Sequence, residues 1–337
     1  MHPGAVTLLA SLVACSSSML EAVKLLRTYA RSQEVVAIVG PSGSGKSHLA
    51  RVLHALSDRP GQLAEVSAGE LSDSLAHDQL FGHERGAFTG ALLRRHGLFA
   101  EAGLGTVLLD DFHLLDRTGQ AMLLRVLDAG MYRPLGSDRQ VPAQARVIVG
   151  SGRDLDELVR EGKLLPDLRY RIGFCAIPLA PLAERRDDIG PLAARFLSDC
   201  LSGDACAVVA LSPDVLPVFE AAPWPGNVRE LRAAIRLAHL KAVADRETTI
   251  RFEHLPIHLQ IGLKYDARSD RATKMRLVAW ALWRSGDRVE HAAELIGAHR
   301  NTVSALRLEL RAREQATAAP NAACPDVQTD AVQQEAS

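Results

Sequence analysis

The clearest chemistry in the chain sits in the run Gly40-Pro41-Ser42-Gly43-Ser44-Gly45-Lys46-Ser47, which follows the apolar VVAIV and leads into SHLARVLHAL. Apolar run, glycine-rich turn and helical stretch make a strand–loop–helix unit. Glycines at 40, 43 and 45 let main-chain N–H groups turn inward on phosphate oxygens, and the helix N-terminus adds positive potential. In such a loop Lys46 reaches the β- and γ-phosphates, while the Ser47 hydroxyl ligates Mg²⁺. The expected ligands are therefore ATP and Mg²⁺. A second apolar run, Val107-Leu108-Leu109, ends in Asp110-Asp111. That order puts the acids at the C-terminal edge of a sheet, beside the phosphate loop, where Asp110 can serve as a second Mg²⁺ ligand.

The elements that must hold these residues follow from the pattern around them. Short apolar runs at 35–40, 106–111, 146–151 and 173–179 alternate with longer helical stretches, which predicts an α/β fold: a parallel sheet with helices on both faces. The β-type runs stop after Pro181. The expected organisation is an α/β subdomain over 1–183, a helical lid over 184–254, a linker over 255–270, a compact all-α unit over 271–313 and a disordered tail over 314–337. Composition is that of an ordinary globular chain, 47% hydrophobic and 23% charged with a net charge of -1, so any nucleic-acid affinity must come from a local patch. The five cysteines form no CxxC pair and no zinc spacing, and read as unpaired thiols in a reducing cytosol. The apolar stretch 5–15 lacks the basic residues that open a secretory signal and reads as a lead-in to the helix that follows. No run is long enough to span a membrane, and a cytoplasmic location is expected.

Between the two acid-and-phosphate motifs lies Leu80-Phe81-Gly82-His83-Glu84-Arg85-Gly86-Ala87-Phe88-Thr89-Gly90-Ala91. Glycines 86 and 90 can hinge it, and Phe88 gives it an aromatic anchor. This segment resembles the surface loop of the AAA+ domain in bacterial enhancer-binding proteins. The resemblance implies an ATP-dependent transcription activator whose Gly86, Phe88, Thr89 and Gly90 contact sigma-54 in the RNA polymerase holoenzyme. It extends over about residues 15–313 and begins the ATPase near residue 15, without the receiver or sensory domain common in that family. Trp224-Pro225-Gly226-Asn227-Val228-Arg229-Glu230-Leu231 resembles the second sensor of the lid, which makes Arg229 a nucleotide contact, and Arg171 is the arginine finger by the same resemblance. A finger implies a ring, a homo- or hetero-hexamer in this family. At the C-terminus, Arg288–Ile296, Gly297 and His299–Leu310 read as helix, tight turn, helix, with an apolar seam of Ala292, Ala293, Leu295, Ile296, Val303 and Leu306. The unit resembles a Fis-like helix-turn-helix for double-stranded DNA. Residues 268–313 hold ten Lys/Arg against five Asp/Glu, and Arg300, Asn301, Thr302, Ser304 and Arg307 fall on the expected recognition helix.

Four positions depart from the family around one water. Asp111 stands where the family has Glu, one methylene longer. Ser67 stands for the Asn that restrains that Glu, and Ser151-Gly152 for the first sensor's Thr-Asn, leaving Ser151 as the nucleotide contact there. Leu165 stands for a second arginine, with Arg169 or Lys163 as replacements. Displacing a catalytic group by ~1 Å can cost on the order of a hundredfold in rate. Two readings follow. One is an activator that hydrolyses ATP at a reduced rate; the other is a weakened ATP- and DNA-binding subunit working in a mixed ring with an active paralogue.

Overall fold

The computed structural model describes residues 8–71, 76–201, 210–261 and 271–316, which gather into two units, 1–181 and 182–337. In the first, α1 (Ser17–Tyr29) precedes β1 (Val36–Val39), α2 (Lys46–Leu56), β2 (Leu63–Ser67), α3 (Ala76–Phe81), the short hairpin β3 (Gly82–His83) and β4 (Arg95–His96), and α4 (Leu98–Ala102). Then come β5 (Thr106–Asp110), α5 (Arg117–Ala129), β6 (Met131–Tyr132), β7 (Val141–Pro142), β8 (Arg146–Ser151), α6 (Leu155–Arg160), α7 (Pro166–Ile172) and β9 (Cys175–Pro178). Five strands form one parallel sheet in the order β2-β5-β8-β1-β9.

Alternation along the strands builds a core on each face. Val36, Ile38, Leu108 and Ile148 pack with Leu26, Leu49 and Leu53 of α1 and α2. Their neighbours Ala37, Val107, Leu109, Val147 and Val149 pack with Leu123, Leu158 and Leu168 of α5–α7 on the opposite face. Each such aliphatic side chain contributes roughly 1.5–3 kcal/mol on burial, and covering both faces explains why the strands read as continuous apolar runs. The exception is β2, LAEVS, whose mixed pattern is neither an apolar run nor a strict alternation and so is not expected from the sequence. It nevertheless pairs Ser67 with Asp110. At the start of β8, buried Arg146 donates to the carbonyls of Tyr29 (2.6 Å), Ala30 (2.8 Å) and Glu34 (3.2 Å). It closes the end of α1, and burial pushes its pKa down to about 10.

The second unit contains α8 (Ile189–Leu201), α9 (Val215–Ala221), α10 (Asn227–Ala244), a two-residue parallel pair β10 (Ala210–Leu211) and β11 (Thr249–Ile250), and α11 (Ile257–Ile261). Three helices follow: α12 (Arg271–Arg284), α13 (Val289–Ile296) and α14 (Arg300–Ala316). The expected linker is helical over Ile257–Ile261, because Leu255 and Leu259 are buried anchors; its remainder, 262–270, lies outside the described residues, as does the tail from 317. α12 packs on α9, with the Trp280 and Phe252 rings 5.3 Å apart and the Arg284 guanidinium 5.4 Å above Phe252. Gly297, at φ +65, ends α13 and opens the tight turn. Ala292, Ala293, Ile296 and Val303 form the expected seam, whereas Leu295 is 47% exposed because its position on α13 faces away from both neighbours.

Cys15 is disulfide-bonded, contrary to the expectation of unpaired thiols, since a pairing set by the fold need leave no CxxC signature; Cys175 and Cys200 are free. Among the described residues no helix is long and apolar enough to cross a membrane.

Candidate functional site

The C-terminal edge of the parallel sheet gathers the residues expected to bind phosphate. Gly40 ends β1 where a Cβ would lie 2.6 Å from the Leu179 carbonyl oxygen, and its N–H donates to Ser151 O at 3.0 Å. Gly43 and Gly45 take φ of +73° and +111°, conformations that glycine adopts without strain. Lys46 opens α2 and is buried, its ammonium donating to Gly40 O (3.0 Å) and Pro41 O (3.4 Å). The loop is thus wrapped around its own cation. Next to it the Ser47 hydroxyl donates to Asp110 Oδ2 at 2.8 Å, while Asp110 Oδ1 accepts from the Asp111 N–H at 3.0 Å. A Cβ at Gly150 would collide with that carboxylate, so the bare backbone of β8 is what leaves Asp110 its room.

The water side is built differently. Asp111 takes φ +49°, a left-handed conformation in which non-glycine residues are uncommon. Gly152 faces it, with space for a Cβ 3.6 Å from Asp111 Oδ1. Ser151 is buried, and its hydroxyl donates to Arg153 O (2.7 Å) and accepts from the Arg153 N–H (3.2 Å), which commits the group to the local turn. Arg169, a candidate replacement for the arginine absent at Leu165, is held by Asp156 at 2.9 and 3.0 Å; Lys163 pairs with Glu161 at 2.9 Å. One residue escaped sequence reasoning altogether. His113, in the turn after Asp111, has a buried Nδ1 with no hydrogen-bond partner among the described residues. Burial pushes its pKa down; Asp111 pulls the other way, and Arg153 and Lys46 add to the lowering. A histidine two residues past an acid carries no motif of its own, so nothing in the text of the chain marked it.

Between β3 and β4 the chain projects as a tight loop. Gly86 N–H donates to Ala91 O (2.8 Å), Ala91 N–H to Phe88 O (2.9 Å), and Gly86 and Gly90 take φ of +84° and +102°. Phe88 is 40% exposed, and Leu92 and Leu93 nearly 80%. The sequence marked Phe88 as the apolar anchor; Leu92 and Leu93, just past the tip, add further exposed apolar surface. Thr89 is also exposed.

The remaining predicted residues lie elsewhere. Arg171, exposed at the end of α7, donates to Leu127 O (2.8 Å) and pairs with Asp128 (3.4 Å). Arg229 belongs to the second unit, exposed in the first turn of α10. That turn is braced by Asn227, whose Oδ1 accepts from the Leu182 N–H at 2.7 Å. On α14, Arg300 and Asn301 are exposed, Thr302 and Ser304 half-buried. Arg300 pairs with Glu290 at 3.5 Å, and Arg307 shares Asp287 with Arg311.

Comparison with known proteins fits this geometry. The profile described as "Sigma-54 interaction domain" matches residues 12–178, and that described as "AAA+ ATPase lid domain" matches 183–272. The chain is 36% identical over 243 residues to a Nif-specific regulatory protein of Herbaspirillum seropedicae, covering 72% of this chain and 45% of that protein. It is 33% identical over 299 residues to the transcriptional regulatory protein ZraR of Escherichia coli (strain K12), covering 87% and 67%. It spans about half the length of several curated relatives it matches, including the regulatory protein AtoC of the same organism, at 49%. Among solved structures, NtrX from Brucella abortus in complex with ADP aligns with a TM-score of 0.69 at 27% identity, covering 89% of this chain and 69% of that one. An ATP complex of the same protein gives 0.66.

Proposed function

The chain belongs to the family of the sigma-54 interaction domain, with the AAA+ lid behind it, and from that premise we propose that it is an ATP-driven activator of sigma-54 RNA polymerase. One observation carries the reading. A single compact unit holds a wrapped phosphate loop, with Ser47 already on Asp110, and a projecting loop whose Phe88, Leu92 and Leu93 face solvent. Exposed clustered apolar side chains fit a macromolecular partner, and the phosphate edge supplies the energy source. ATP binds with its β- and γ-phosphates at the loop amides and Lys46. Ser47 and Asp110, both hard oxygen donors, would hold Mg²⁺, which neutralises phosphate charge when bound. Asp111 orients the attacking water. Arg171 reaches a neighbouring copy only after leaving Asp128 and Leu127 O, so ring assembly and finger release go together; Arg229 reads the nucleotide from the lid. In this reading Arg300, Asn301, Thr302, Ser304 and Arg307, all on α14, contact double-stranded DNA, and Arg307 must first exchange Asp287 for a phosphate. The location is cytoplasmic.

The test is ATP-dependent open-complex formation by the purified chain at a sigma-54 promoter. Native protein is expected to drive it; Thr89→Ala is expected to abolish it while ATP affinity changes less than twofold. Full activity in Thr89→Ala would defeat the loop assignment. For DNA, Arg300→Ala is expected to weaken operator binding and reduce the salt dependence by about one unit of slope; an unchanged slope would remove Arg300 from the DNA surface.

A further inference from the structure

We propose that Asp78 and His83 form a two-donor latch that fixes the base of the projecting loop and aims Phe88, an inference that rests on reading this loop as the sigma-54 contact. The hairpin that should hold the loop is only two residues long on each side, pairing Gly82 with His96 and His83 with Arg95. So short a ladder gives the eleven-residue excursion 84–94 little support at its base. The tip is closed by Gly86 N–H to Ala91 O at 2.8 Å, and Glu84 pairs with Arg94 at 3.4 Å on the exposed side. On the buried side the base is tied by side chains. His83 Nδ1 lies 2.5 Å from Asp78 Oδ1 on α3, and His83 Nε2 lies 2.9 Å from Leu93 O on the returning arm. The Phe88 ring stands edge-on to the imidazole at 5.0 Å and 66°. Arg95 places Nη1 3.3 Å from the other oxygen of Asp78. One ring therefore ties together the helix, the outgoing tip and the returning arm. His83 and Asp78 are both more than nine-tenths buried.

The donor count sharpens the point. A carboxylate and a carbonyl oxygen both accept, so the ring makes both bonds only when each nitrogen carries, or shares, a hydrogen. A ring with one bare nitrogen would turn its lone pair on an acceptor and lose one of the two arms. Glutamine or asparagine at position 83 carries its two hydrogens on one nitrogen and lacks the two separated donor positions of the ring that reach Asp78 and Leu93. The pair touches neither the phosphate loop nor the acids of β5, so its work is positional: it keeps an apolar tip presented rather than collapsed on the body of the unit.

The test compares the native chain with His83→Gln and Asp78→Asn. Amide hydrogen exchange in 84–94 is expected to rise at least tenfold in His83→Gln and less in Asp78→Asn. Exchange in 40–47 and ATP affinity should change less than twofold in both. Titration with labelled sigma-54, in the presence of a non-hydrolysable ATP analogue, should show affinity reduced at least fivefold in His83→Gln. In ¹⁵N-histidine-labelled native protein, both His83 ring nitrogens should carry protonated shifts. A bare ring nitrogen, unchanged exchange in the loop, or a rise spread evenly over the whole unit would each overturn the latch. Should loop exchange rise as expected while native protein shows no affinity for sigma-54, the latch stands and the contact reading falls. If His83→Gln does not fold, Asp78→Asn carries the same measurements.

Discussion

The two halves of the nucleotide site are made of different materials. The phosphate half relies on main-chain amides, a buried lysine and a hydroxyl–carboxylate pair, and Lys46, Ser47 and Asp110 already sit within hydrogen-bonding distance of their neighbours. The water half relies on side-chain reach, and there each group is short, absent or engaged elsewhere: Asp111 at a left-handed φ, no side chain at Gly152, the Ser151 hydroxyl bound into its own turn. Backbone recognition tolerates substitution because every residue brings the same amide; placement of one water does not. Nucleotide affinity and turnover should therefore be separable in this chain.

Three experiments would break or sharpen that contrast. Lys46→Ala carries the largest effect: it removes the cation around which the loop is wrapped, and ATP binding should fall below detection by calorimetry. Retained affinity would mean that the amides suffice without it. Next comes restoration of the water half by Asp111→Glu with Ser67→Asn and Gly152→Asn, made together because groups sharing one water act non-additively. Steady-state ATPase should rise at least tenfold, a barrier change of ~1.4 kcal/mol, with ATP affinity unchanged. Native turnover already matching the restored chain would show that another group has compensated. His113, whose buried Nδ1 has no hydrogen-bond partner among the described residues, is the first to substitute in that case. The smallest effect lies in stability against pH. His54, 2.8 Å from Thr106 Oγ1, and His113 are both lowered by burial. Their unfolded values lie near ~6.5, so the unfolded chain takes up protons that the folded chain refuses. Stability is full above that pH and declines as pH falls through it toward the lowered folded values. Denaturant midpoints between pH 8 and 5.5 should fall, and His54→Gln should flatten part of the decline.

The sheet and its edge were legible because burial on both faces writes strands as apolar runs, and because a phosphate loop needs glycine where side chains would collide. β2 was not, since LAEVS has neither run nor strict alternation, though it carries Ser67 to its place opposite Asp110. The break between α13 and α14 was legible from Gly297, but the direction of Leu295 was not: a seam assigned by apolar identity includes residues that the helix turns outward. Side-chain commitments were the least legible. Ser151, Arg169 and Arg307 each have the right chemistry for a ligand and are held by Arg153, Asp156 and Asp287, partners that only the fold brings near.

The packing of α12 on α9 sets where the chain can be cut. Phe252 is roofed by Trp280 and Arg284, and buried Asp214 meets Arg284 at 3.6 Å. Shortening the chain before Arg271 strips those covers together, baring an aromatic ring and stranding a carboxylate whose cation has gone. Such a fragment would carry a sticky face of its own making, and self-association measured on it would report the severed seam rather than the native assembly. A double substitution, Phe252→Ser with Asp214→Asn, would make the shortened chain an honest stand-in for the remainder.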